Sequence, residues 1–376
     1  MKVVHLCSVH PAFDVRIFWR HCRSLAQAGY EVVYIAPHDK DEEREGVRIR
    51  AIRPASGRLD RFRRVRRQVY QAALDEDADL YHLHSPELLP YGVRLKKRGY
   101  RVVYDAHEDL PAQNAARAWI PGPLRGVVGS YVEAVELRGA QAMDAVCVAH
   151  PTIVHRFPED RTVVLNNYPR LDLFPDPADW PPYSGRPPRA FHVGSSCNRI
   201  RGMPHMVEAM GLLPHGLDAE LTVVGGIPAD LRPELEAKPG WARIDYRGAL
   251  PFDEMVRAML QARVAVLPFL ATAHHLTSYP NKLFEYMAAG LPVVATDMPH
   301  WRELVDEVGC VRWMDPERPE TMARAIGDLL DDPEEAEEMG RRGREAVEDR
   351  LSWDAESRKL IGLYRDLLVR PPRPVP

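Results

Sequence analysis

Residues 278–299 read SYPNKLFEYMAAGLPVVATDMP. Pro280 suits the first turn of a helix, where its missing N–H would have had no partner. The spacing predicts a helix from Asn281 to about Ala289, packed through Leu283, Phe284 and Met287. Gly290 closes it. Leu291–Thr296 then forms a short apolar, β-branched run, the signature of a strand buried on both faces. A helix that turns at once into such a strand belongs to a parallel α/β sheet.

Outward from this stretch the same alternation fills both halves of the chain. Strand candidates in the first half are 2–9, 31–37, 47–52, 79–84, 100–106, 144–149 and 162–166. In the second half they are 189–194, 219–225, 242–248, 263–269, 291–296 and 309–313. Helical spacing lies between most of them. The join, NNYPRLDLFPDPADWPPYSGRPP (166–188), is dense in proline and reads as a linker. Two doubly wound α/β domains follow. Such sheets bind ligands at the carboxyl ends of their strands, so the cleft between the domains is the expected site.

Length and composition agree. A chain of 376 residues is long for one domain, and 45% apolar with 28% charged residues excludes wholesale disorder. The opening MKVVHLCSVHPAF is too short and too interrupted by histidine for a signal peptide, and reads as a buried strand. No apolar run reaches membrane-spanning length. Five cysteines without a CxxC pair argue against a zinc or disulfide framework and for a reducing, cytoplasmic setting. A net charge of -4 argues against a dedicated nucleic-acid binder. Residues 1–168 hold 25 Lys and Arg against 21 Asp and Glu, and the remainder 25 against 33. The first half is thus the one suited to an anionic partner.

Several residues carry chemistry. Lys282 and Glu285 lie three apart near a helix N-terminus, where unpaired N–H groups favour phosphate and a carboxylate can accept from a diol such as ribose. An ordinary surface ion pair has the same spacing. GSSCNRIRG (194–202) places Arg199 and Arg201 in a glycine-flanked loop after a strand; a solvated basic loop is the plainer reading. His107 follows the strand 100–106 in a loop, where capping histidines also sit. His82 and His84 have zinc-like spacing without a placed third ligand, so no metal is expected, and HEDLP is not HExxH. Asp14 and Arg16 open the first helix, as an internal ion pair or as ligand contacts. RLDRFRRVRRQ (58–68) holds six arginines, either a solvated helix face or a patch for anionic lipid or a phosphorylated acceptor, peripheral to the inner membrane face.

Together these segments resemble glycosyltransferase family 4. The similarity runs through HPAFDVRIFWRHCRSLAQAGYEV, YDAHEDLP, VLNNYP, GSSCNRIRGM, LTVVGG, YRGALPFDEM, PNKLFEYMAAGLPVVATD and DRLSW. The resemblance implies a GT-B fold, two facing Rossmann-like domains, and retaining, metal-independent transfer from a nucleoside-diphosphate sugar, with UDP first and GDP second. No permanently bound cofactor is implied. It divides the chain into an acceptor-side domain (1–168), the linker (169–188), a nucleotide-sugar domain (189–350), a helix crossing back to the first domain (351–370) and a tail (371–376).

Residue by residue, the resemblance puts Glu285 on the ribose, and Pro280 and Asn281 at the sugar and diphosphate. Gly194, Ser195, Ser196, Arg199 and Arg201 fall in the diphosphate loop, with Arg199 or Lys282 as second cation. His107 falls on the donor sugar, and Asp14, Arg16 and His84 near phosphate or acceptor. Thr277 stands where the family has its first glutamate, and Ser195 where it has an arginine. Acceptor choice falls to residues 38–70 and 109–125: a glycan, a lipid-linked molecule or a small natural product. A nucleotide-sugar epimerase or phosphorylase of the same plan, and a non-catalytic anion or nucleic-acid binder, are the rival readings.

Overall fold

Parallel sheets bury both faces, so apolar β-branched runs and intervening helices fix the architecture. The computed structural model describes residues 1–107, 122–272, 275–276 and 278–375. It divides into one unit of Met1–Asn167 with Trp353–Pro376 and a second of Tyr168–Ser352.

The first unit carries β1 (Lys2–Leu6), β2 (Glu31–Pro37), β3 (Glu42–Arg44), β4 (Val47–Ile52), β5 (Leu80–Leu83), β6 (Arg101–Ala106), β7 (Ala145–Val148) and β8 (Thr162–Val164). Their order is β3-β4-β2-β1-β5-β6-β7-β8. All pairs are parallel except β3–β4. The sequence reading has no β3: Glu42-Glu43-Arg44 offers no apolar signal. A short charged strand suits a sheet edge, because it discourages further pairing. The order reverses between β1 and β5, which opens a crevice at their carboxyl ends.

The second unit carries β9 (Arg189–Ser196), β10 (Glu220–Gly226), β11 (Ile244–Gly248), β12 (Val264–Leu267), β13 (Val293–Thr296) and β14 (Val311–Met314). All pair in parallel in the order β11-β10-β9-β12-β13-β14, with the reversal between β9 and β12.

Side chains alternate along each strand. In the first unit Val4, Leu6, Tyr81 and Leu83 join the core of one face, with Val65 and Val69 of the helical stretch after residue 58. Val3, Leu80 and Val103 join the other, with Phe18, Leu360 and Tyr364. His5, His82, His84 and Asp105 fall on this second face by the same period, and all are buried. The helix Trp353–Val369 covers it. Trp353 Nε1 donates to Ser24 Oγ at 2.8 Å, and the Glu356 carboxylate accepts from the Asn166 backbone N–H at 3.1 Å.

The segment 169–188 is counted in the second unit. Between its prolines stand Phe174 and Tyr183, both buried, and Tyr183 Oη donates to the Arg263 carbonyl at 2.5 Å. Proline density marked it as a connector, but its aromatic residues find places in a core.

Candidate functional site

In the second unit the site forms where β9 ends. The strand overruns the expected stop at Gly194 and continues to Ser196, leaving Ser195 exposed. A short turn, Arg199–Arg201, follows, with Asn198 Oδ1 accepting from the Arg201 N–H at 3.1 Å. Gly202 has φ +75°, and a Cβ there would lie 2.1 Å from the Pro268 carbonyl oxygen. Only glycine fits both the conformation and the approach.

Arg201 Nη1 lies 3.3 Å from where a Cβ on Gly194 would stand, and its guanidinium sits over the Phe269 ring at 5.5 Å. Among the described residues it has no ion-pair partner. Arg199 differs: it grips Glu234 through two nitrogens, at 3.1 and 2.5 Å, with both side chains exposed. The second-cation role expected of Arg199 or Lys282 therefore meets an Arg199 already committed at the surface.

The helix Asn281–Ala288 starts after Pro280, which is extended and buried, with Asn281 exposed at its first position. Lys282 Nζ lies 2.8 Å from Glu285 Oε2. Tyr286 Oη accepts from the Val193 N–H at 3.0 Å, tying this helix to β9. His192 stands on β9, its Nδ1 donating to the Val266 carbonyl at 2.9 Å while Nε2 has no partner among the described residues. Burial pushes this ring down to about 4, and the positive charges of Arg201 and Lys282 push it the same way. The sequence reading missed His192, which looks like any other residue of an apolar strand. Thr277 lies outside the described residues.

In the first unit the expected phosphate contacts take other roles. Asp14 caps the helical turn that follows, its Oδ1 accepting from the Arg16 and Ile17 N–H groups at 2.9 Å. Arg16 is buried and does not reach outward. Its Nε and Nη2 donate to the Asp105 carboxylate at 3.0 and 2.7 Å, and Nη1 to the Leu165 carbonyl and Asn167 Oδ1, each at 2.8 Å. Among the described residues the Arg16 guanidinium pairs with Asp105 and not with the Asp14 carboxylate. His84 is buried as well, with Nδ1 3.0 Å from Asp105 Oδ2 and Nε2 2.8 Å from His5 Nδ1.

His107 lies at the end of β6 with a side chain 17% exposed, its Nε2 2.8 Å from Asp105 Oδ2. A cavity of 620 Å³ lies here, with His107, Val9, Phe62, Glu87, Tyr131 and Val135 in its lining. Asp105 is the residue that sequence reasoning missed, although it stands two before His107 on the strand. Burial would raise its carboxyl, but Arg16, His107 and His21 overcome this and hold it well below the usual carboxylate range.

His21, His82, His84 and Asp105 offer ligand atoms within 4.8 Å of one another. Both oxygens of Asp105 and both nitrogens of His84 already serve hydrogen bonds, and Arg16 places a positive charge where a cation would sit. Asp105 and His84 are thus committed to the protein's own network, whereas both His21 nitrogens and His82 Nε2 have no hydrogen-bond partner among the described residues.

The arginine-rich stretch is helical from Arg58, in three segments, and buries Val65 and Val69. Arg64 is held by Asp60 at 2.5 and 2.7 Å, whereas Leu59, at 73%, and Phe62, at 41%, face solvent. Among the described residues no helix is long and apolar enough to cross a membrane.

The profile of glycosyl transferases group 1 matches residues 187–332, and that of Glycosyltransferase Family 4 matches residues 15–167. D-inositol 3-phosphate glycosyltransferase of Paenarthrobacter aurescens is 25% identical over 188 residues, 48% of this chain and 45% of that protein. Alpha-D-kanosaminyltransferase of Streptomyces kanamyceticus is 26% identical over 172 residues, 44% of this chain and 43% of that one. Each match thus spans less than half of the curated relative. In fold, sucrose-phosphate synthase of Thermosynechococcus elongatus superposes with a TM-score of 0.74 at 20% identity, covering 97% of this chain and 98% of that one. Anabaena HepE, in complex with UDP-glucose, gives 0.72 at 14% over 97% and 100%. Two Rossmann-type units, each matched by a transferase profile, identify the chain as a glycosyltransferase of GT-B fold that belongs to glycosyltransferase family 4.

Proposed function

We propose that this glycosyltransferase moves a sugar from a nucleoside-diphosphate donor to a hydroxyl acceptor with retention at the anomeric carbon and without a divalent metal. The observation that carries the reading is Arg201, a cation without an ion-pair partner among the described residues, in the loop after β9, the strand to which Tyr286 ties the helix that bears Lys282 and Glu285. When the glycosidic bond breaks, negative charge grows on the leaving diphosphate, and fixed cations at that oxygen stabilise the transition state. Glu285 serves the ribose diol once Lys282 turns to phosphate. In retaining transfer the acceptor attacks from the face the diphosphate leaves, so a phosphate oxygen takes the acceptor proton. UDP is the first nucleotide to try, because HepE, a structure of like fold, holds UDP-glucose.

The 620 Å³ cavity beside His107 suits the acceptor, in glycan, glycolipid or natural-product synthesis. Leu59 and Phe62, exposed among arginines, favour a peripheral membrane contact for a lipid-linked acceptor. Charge reversal at Arg63 and Arg67 is expected to abolish binding to anionic vesicles, and wild-type protein that ignores such vesicles would retire this contact.

Thermal unfolding with UDP, GDP, ADP and dTDP tests the nucleotide site, since a ligand that binds only the folded chain raises its midpoint. Selective stabilisation by one diphosphate, followed by retained anomeric configuration in product from labelled donor in EDTA, is expected. Inverted product, or turnover that needs added metal, would overturn the corresponding part.

A further inference from the structure

Asp105 organises more than the arginine that holds it. We infer that Asp105 is a positioning residue: it fixes His107 as the Nε2–H tautomer, so that His107 offers a hydroxyl group its free Nδ1 lone pair, and it sets the protons of a buried chain running through His84, His5 and Tyr364 to His82. The part concerning a hydroxyl rests on the proposed function; the tautomers do not.

The argument starts from a carboxylate that can only accept. Arg16 donates to both of its oxygens, at 3.0 and 2.7 Å. His107 Nε2 and His84 Nδ1 lie 2.8 and 3.0 Å from the same Oδ2, so both must carry the proton. Their own separation, 3.4 Å, is then that of two donors sharing one acceptor. His84 Nε2 becomes a lone pair and receives His5 Nδ1–H at 2.8 Å. His5 Nε2 becomes a lone pair in turn and receives the Tyr364 hydroxyl at 3.2 Å. The Tyr364 oxygen then accepts from His82 Nδ1–H at 2.7 Å. His82 Nε2 closes the sequence without a partner among the described residues.

Reversing any link would set two lone pairs or two protons face to face, so one ionised carboxylate determines five side chains. Burial disfavours the charged imidazoles of His5, His82 and His84, which keeps each ring to a single proton. His107 Nδ1 has no hydrogen-bond partner among the described residues, and the ring lines the 620 Å³ cavity. A group of this kind accepts a hydrogen bond from a sugar or acceptor hydroxyl, and does not donate one to an oxyanion. The network also reaches Tyr364, so the order that Asp105 imposes extends to the helix Trp353–Val369.

The test is a long-range proton–nitrogen correlation spectrum of the ¹⁵N-histidine-labelled full chain near neutral pH. The expected signature is Nε2–H for His107 and Nδ1–H for His84, His5 and His82. Tyr364→Phe leaves Arg16, Asp105 and His107 in place; it is expected to release only the His82 tautomer, with His107 unchanged. Asp105→Asn is expected to scramble the His107 tautomer and to lower kcat by about 100-fold, the scale of a misplaced reacting group, while donor KM moves less than about threefold. An Nδ1–H tautomer of His107 in the wild-type chain, or a His107 spectrum unaltered in a folded Asp105→Asn chain, overturns the inference. Should Asp105→Asn fail to fold, the wild-type and Tyr364→Phe spectra decide. A chain with the expected tautomers but no transferase activity would refute the proposed function and leave the positioning intact.

Discussion

Lys282 and Glu285, one helical turn apart, hold each other at 2.8 Å with side chains 26% and 16% exposed. A half-buried pair of this kind, still reached by solvent, contributes little to stability. Glu285→Ala is therefore expected to leave the unfolding midpoint nearly unchanged while weakening nucleoside-diphosphate binding by roughly 1.5–3 kcal/mol, the scale of a charged hydrogen bond. Calorimetric titration reads both partners. An unaltered affinity in the folded variant removes Glu285 from the site.

Arg201 and Arg199 stand two residues apart in different circumstances. Arg201→Ala is expected to cut turnover by about 100-fold or more, because the charge it meets peaks in the transition state. Arg199→Ala breaks only the exposed contact with Glu234 and is expected to change turnover less than about threefold. Steady-state rates with labelled donor separate them, and the opposite ranking would mean that the diphosphate lies along Arg199.

Gly202→Ala puts a methyl group 2.1 Å from the Pro268 carbonyl at a φ of +75°. Backbone strain of this kind costs on the order of 1–3 kcal/mol. Because the turn Arg199–Arg201 ends here, the shift is expected to carry Arg201 with it, lowering turnover beyond what lost stability explains. Chemical denaturation beside single-turnover kinetics measures the two parts. Full turnover in the folded variant would separate Gly202 from the placing of Arg201.

Acid should unfold the first unit early. Burial pushes the His84 ring down to about 4 and holds His5, His21 and His82 well below their ordinary 6.5. An unfolded chain takes up these protons first as the pH falls, so their contribution is complete above 6.5 and is lost downward toward 4. The expected slope is roughly 1.4 kcal/mol per pH unit for each such ring. Urea midpoints at pH 7, 6, 5 and 4.5 follow it. A flat profile would show that these imidazoles are not kept neutral in the fold.

Arg16→Ala leaves the Asp105 carboxylate buried without its guanidinium. Breaking such a pair from one side costs about 3–5 kcal/mol. Stability is expected to fall by that amount, whereas Arg63→Ala, on the exposed stretch, should do nothing measurable. A mild Arg16→Ala phenotype would mean that water enters beside Asp105.

The strands were legible because parallel sheets demand continuous apolar runs, and 31–37 and 47–52 begin and end where the pattern breaks. The edge strand Glu42–Arg44 was not, since nothing apolar marks it. Gly194, Arg201, Lys282 and Glu285 could be named as candidates because glycine, helix start and charge leave a local signature. Arg16 and His84 carried the right chemistry for ligands, and tertiary packing turned both inward. Asp105 and His192 were invisible for a related reason. A polar residue in an apolar strand shows its purpose only through partners far away in sequence, such as Leu165 and Asn167 for Arg16, or Val266 for His192.

The helix Trp353–Val369 closes the unit that begins at Met1, and the entire second unit is encoded between them. On the ribosome, residues 1–167 emerge with one sheet face covered only in part, by the helical residues 15–27, its remaining histidines and apolar side chains awaiting Trp353, Leu360 and Tyr364. The second unit, continuous in sequence, is complete before that cover arrives. The half made first is therefore finished last, and its exposed face is the surface a chaperone would meet during synthesis.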